Sequence, residues 1–150
     1  MNYTIHEGTF ALPDAAADRT VNMLLLNIGP GGLSLVVSRD VLRDGETVDG
    51  FIERQWTTAS RQVKDLAEVA RRTVAVGVKQ LPGVQIDSTM QQQGRTFHQS
   101  QTIFRIDDAG RMMVMTTTCA SPLTDEQQTA LQHMLDSFEP RQPEPPTLHA

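Results

Sequence analysis

Apolar and polar positions alternate along most of the chain, and the period changes three times. Tyr3 and Ile5 alternate with polar neighbours, and Phe10 to Leu12 leads into Pro13-Asp14. Val21 to Ile28 reads as a strand, Gly29-Pro30-Gly31-Gly32 as a turn, and Leu33 to Ser38 as the returning strand of a hairpin. Arg39 to Gly45 reads as a charged loop. The spacing of Val48, Ile52, Ala59, Val63 and Leu66 then predicts a helix from about Thr47 to Ala67. Period 2 returns with a short strand at Thr73–Val76, a turn at Leu81-Pro82-Gly83, and strands at Val84–Gln92, Thr96–Ile106 and Arg111–Cys119. Thr124 and Gln127 form a capping-box pattern, and a helix follows to about Phe138 with Leu131, Met134, Leu135 and Phe138 on one stripe. Pro140 ends it. The reading is one domain over residues 1–139 and a Pro-rich disordered tail over 140–150.

Strands joined by tight turns pair antiparallel. The order β-β-β, α, β-β-β-β, α therefore predicts an α+β fold, a curved antiparallel β-sheet packed against two α-helices. In Val21–Ile28, Val21, Met23 and Leu25 point one way and Leu24, Leu26 and Ile28 the other. A strand apolar on both faces needs cover on both. With two helices on one face, the other face is expected to meet a ligand or another subunit.

Composition narrows the function. The chain has 150 residues, enough for one core without staples, and 21% charged residues, which fits a globular domain. With 13 Lys and Arg against 18 Asp and Glu, the net charge of −5 argues against nucleic acid and against anchoring to an anionic membrane. The single cysteine, Cys119, fits a reducing compartment and excludes a multi-thiolate zinc site. No signal peptide or bilayer-length apolar run is evident, so a soluble cytoplasmic protein is expected.

Catalytic chemistry is poorly supported. His6, His98, His133 and His149 lack metal-ligand spacing, and no phosphate-binding glycine loop precedes a helix. Cys119 with His98 could make a nucleophile and base, but a lone cysteine at a strand end reads better as a small buried hydrophobe. No enzyme, metal or cofactor is expected. The seven methionines instead suggest an adaptable apolar surface. Gln55 falls inside the apolar stripe of the first helix, and Gln99 and Gln101 share a face with Phe97 and Ile103. Buried amides without partners cost about 1–3 kcal/mol, so such glutamines bond one another or serve polar groups of a ligand.

Several short segments, in order, resemble one family. These are Tyr3-Thr4-Ile5-His6-Glu7-Gly8, Leu12-Pro13-Asp14, Arg19-Thr20-Val21-Asn22-Met23 and Val37-Ser38-Arg39-Asp40. Glu53-Arg54-Gln55, Gln92-Gln93-Gly94-Arg95, Gln99-Ser100-Gln101 and Ser137-Phe138 continue the series. Together they resemble the effector-associated (Eag) chaperones of bacterial type VI secretion. The resemblance implies a PsbP/DcrB-like fold, a homodimer, and a cytoplasmic chaperone for effectors that carry PAAR or Rhs regions. It would shield their N-terminal transmembrane helices before loading on the VgrG spike. It implies client-binding roles for Val21, Met23, Ser34, Gln55, Val63, Phe97 and Gln101, to which the residue pattern adds Leu25 and Gln99. Val-Asn-Met stands where Ile-Asn-Ile is expected, which keeps the apolar character. A small-ligand or lipid-binding domain of the same fold is the alternative.

Overall fold

The structure is a computed structural model that describes residues 1–141. Its elements run β1 (Asn2–Ile5), β2 (Gly8–Ala11), β3 (Asn22–Leu26), β4 (Leu33–Val41), α1 (Val48–Gln62), β5 (Ala67–Val76), β6 (Leu81–Gln92), β7 (Arg95–Arg105), β8 (Arg111–Cys119) and α2 (Asp125–Asp136). Six strands form one antiparallel sheet in the order β3-β4-β8-β7-β6-β5, and β1 and β2 form a separate hairpin. The α+β class agrees with the sequence reading. The single sheet becomes two, because β1 and β2 bond only each other. The expected tail lies, from residue 142 on, outside the described residues.

The helices take opposite faces of the sheet, not one. Leu131 and Leu135 of α2 pack on Leu35, Val37, Phe104 and Met115. Phe51 and Ile52 of α1 pack on Ile86, Ile103, Met112 and Val114. Adjacent strand residues such as Ile103 and Phe104 thus enter different cores, which is why β4, β7 and β8 are apolar on both sides. Four methionines, Met112, Met113, Met115 and Met134, belong to these two cores, so methionine serves packing more than surface.

Several boundaries differ from the expected ones. Helix α1 stops at Gln62 instead of Ala67: Val63 is its extended C-cap and Asp65 takes φ +54°. From Ala67 the chain pairs with β6, so sheet hydrogen bonds override the helical spacing of Val63 and Leu66 and lengthen the short strand to Ala67–Val76. Leu81-Pro82-Gly83 is not a turn but the start of β6, and the chain reverses at Gly77–Gln80. Pro82 is tolerated because it pairs only with Ala75, while pairing to β7 begins at Gly83. Gly77 is required at that reversal: its φ is +78°, and a Cβ would lie 2.1 Å from the Phe138 carbonyl oxygen. Finally, β4 continues to Val41 through what read as a charged loop.

The start of α1 is fixed twice. Thr47 Oγ1 accepts from Gly50 N at 3.0 Å, and Arg54 grips Glu46 through Nε and Nη2, each at 2.9 Å. The hydrogen bonds from Arg54 hold the Glu46 carboxyl down at about 2, from an ordinary 4.5. A depressed carboxyl contributes stability above its unfolded pKa and loses it as pH falls through the folded one. The native protein should therefore lose this contribution between about pH 4.5 and pH 2. Urea melts across that window should show a shallower decline for Arg54→Met; parallel declines would show that the pair contributes nothing.

Candidate docking face

The register places side chains of all six strands in rows across the α1 side of the sheet. One row reads Leu25, Ser34, Thr118, Gln99, Ser88, Glu68; the next reads Met23, Val36, Thr116, Gln101, Ile86, Arg71. A third, Ser38, Val114, Ile103, Val84 and Thr73, runs toward α1. Met112, Val114, Ile103, Val84 and Ile86 meet the helix. Beyond it the face is open. Ser34, Val36, Phe97, Gln99, Gln101, Thr116 and Thr118 are half-buried, whereas Met23 and Leu25 on edge strand β3 are 70% and 78% exposed.

The open face is apolar at its β3 rim, polar and uncharged along its middle, and apolar again at Phe97 and its partner Met90. Gln99 and Gln101 donate only long hydrogen bonds, to Thr118 Oγ1 at 3.5 Å and Thr116 Oγ1 at 3.4 Å. Ser34 Oγ reaches the Thr118 carbonyl at 3.5 Å. These amides are weakly held and free to re-aim. Charge is confined to the border, where Arg71 joins Glu53 of α1 to Glu68 of β5, and Gln55 Nε2 donates to Asp40 Oδ2 at 3.2 Å.

Of the residues read from sequence, Met23, Leu25, Ser34, Phe97, Gln99 and Gln101 come together on this face. Gln55 is not buried in the α1 stripe; it is half-exposed and turned to Asp40 beside the face. Val21 precedes β3 and is exposed, and Val63 caps α1 in place of lining its stripe. Val36, Thr116 and Thr118 were missed as site residues. Their signal is the switch along β8 from Met112 and Val114 to Thr116 and Thr118, which marks where helix cover ends.

Two other places bear on chemistry. His98 and Cys119 are cross-strand partners. Cys119 is 3% exposed, its Sγ donates to the Gly32 carbonyl at 3.5 Å, and burial pushes its thiol up, away from the thiolate a nucleophile needs. Among the described residues no cluster of three metal-ligating side chains occurs, and no helix is long and apolar enough to cross a membrane. A cavity of about 670 Å³ lies at the far end of the sheet, lined by Val48, Leu81, Pro82, Val84 and Ile106 with Arg105 and Asp108 at its polar side.

The fold has known company. The crystal structure of PA94, a protein of unknown function from Pseudomonas aeruginosa, superposes with a TM-score of 0.72 at 21% identity, over 95% of this chain and 98% of that one. No curated protein matches the sequence. The DcrB family matches residues 7–137, nearly the whole described chain and every strand of the open face. The chain belongs to the DcrB family.

Proposed function

We propose that the protein is a passive chaperone of the type VI secretion kind. In this reading it works in the cytoplasm, without enzymatic activity or cofactor. It holds N-terminal transmembrane helices of a PAAR or Rhs effector until the effector loads on VgrG. The observation that carries the proposal is the open sheet face, uncharged from β3 to β6 and bordered by Met23, Leu25 and Phe97. An unassembled transmembrane helix exposes apolar side chains to water, and covering them returns roughly 25 cal/mol per Å². Its backbone is satisfied internally, so an apolar rim suffices along most of its length. Where the helix ends or carries a polar side chain, Gln99, Gln101 and Gln55 can supply bonds. A helix about 10 Å across covers about two strands spaced roughly 4.8 Å apart, so the face accommodates it lengthwise. In the homodimer that the Eag resemblance implies, two such faces would act together.

The test is affinity purification of the tagged protein from its native cytosol, with Val21→Asp/Met23→Asp as control and mass spectrometry of what co-purifies. A large protein with N-terminal transmembrane helices should accompany the native form and be lost with the variant. Absence of such a partner from cells that express secretion effectors would refute the proposal.

The second reading, a small-ligand or lipid carrier, is favoured by the apolar cavity at Val48, Leu81 and Val84, whose volume lies within the usual range for ligand pockets. It predicts a small molecule in organic extracts of the purified protein.

A further inference from the structure

Strand β3 carries the most exposed apolar side chains of the open face, yet it pairs on one side only and buries little of itself. The turn that joins it to β4 is also loose by composition, since Gly29, Gly31 and Gly32 all sit at φ between +73° and +76°. What anchors the turn is Gln127, near the start of α2 and fully buried. Its Nε2 donates to the Ile28 carbonyl at 2.8 Å and lies 3.5 Å from the Gly32 carbonyl. Its stem fills the space beside Gly29, where a Cβ would lie 2.6–2.9 Å from the amide and stem atoms. Its Oε1 meanwhile accepts from Thr124 N at 3.0 Å, closing the capping box. One amide thus serves the helix with its oxygen and the turn with its nitrogen.

We infer that Gln127 is a positioning residue: it latches the β3–β4 turn to α2 and so holds Met23 and Leu25 in place at the rim of the open face. Its consequence for binding rests on the reading of that face as a docking surface; its consequence for β3 does not. The turn bonds and the cap can be weakened one at a time. A capping box accepts Glu as readily as Gln at this position. Gln127→Glu therefore keeps the acceptor for Thr124 N and removes the donor for Ile28 and Gly32. Thr124→Ala removes the other half of the capping box, the hydroxyl that accepts from Gln127 N at 3.2 Å, and so weakens the cap while leaving both bonds of the amide and the turn in place.

The experiment is amide hydrogen exchange on the full chain, with binding of a Lys-flanked Leu–Ala helical peptide of about 20 residues measured alongside. In Gln127→Glu, the β3 amides bonded to β4 should exchange about tenfold faster and peptide affinity should fall about tenfold. In Thr124→Ala, both should stay within about twofold of native while the first turn of α2 exchanges faster. If Gln127→Glu fails to fold, Gln127→Met fills the same space with no donor and should give the same β3 result. Native exchange in β3 for a folded Gln127 variant would overturn the latch. Should the native protein not bind the peptide, the docking reading fails and the β3 exchange alone decides the latch.

Discussion

Truncating Phe104 to alanine should cost about 3–5 kcal/mol and lower the melting temperature by roughly 10–20 °C. The side chain is fully buried in the α2 core and meets Phe138 edge-to-face, with ring centroids 5.2 Å apart. Domains are stable by only about 5–15 kcal/mol, so a single change of this size brings the protein near its threshold. Phe97→Ala, on the same strand but on the open face, is the counterpart. Phe97 is half-buried, and its loss should cost less than about 1 kcal/mol. Chemical denaturation of the pair checks both numbers. Equal losses would mean that the open face is packed as core.

The converse holds for binding. Met23→Asp together with Leu25→Asp should weaken capture of an apolar helix at least about a hundredfold, because each carboxylate would be covered without a partner. The same changes should leave stability within about 1 kcal/mol, since both side chains already face water. Isothermal titration with the Lys-flanked helical peptide, beside a thermal melt, separates the two effects. A collapse in stability would return Met23 and Leu25 to the core and remove them from any docking role.

Much of this was legible in the chain. The strand periods, the Gly29–Gly32 turn, the capping box at Thr124 and Gln127, and the shared face of Phe97, Gln99 and Gln101 all follow from local spacing. What failed was non-local. Val63 and Leu66 continue a helical stripe, and only the pairing of Ala67 with Thr89 shows why the helix ends sooner. Pro82-Gly83 carries a turn signature, and only the later start of β7 pairing makes it harmless inside a strand. Gln55 looked like a buried amide because helical spacing does not reveal which part of a helix overhangs its sheet. The two-sided apolarity of β3, β4 and β8 was read as a missing partner. Most of it is the second helix on the second face, and only the stretch beyond α1 remains open.

The measurement closest to the central claim is methyl NMR of the labelled protein titrated with the helical peptide. Docking on the open face predicts that the Met23, Leu25 and Val36 methyl signals shift and broaden, while those of Val48, Leu81 and Val84 stay in place. Shifts confined to Val48, Leu81 and Val84 would place the ligand in the cavity at the far end of the sheet and contradict the account.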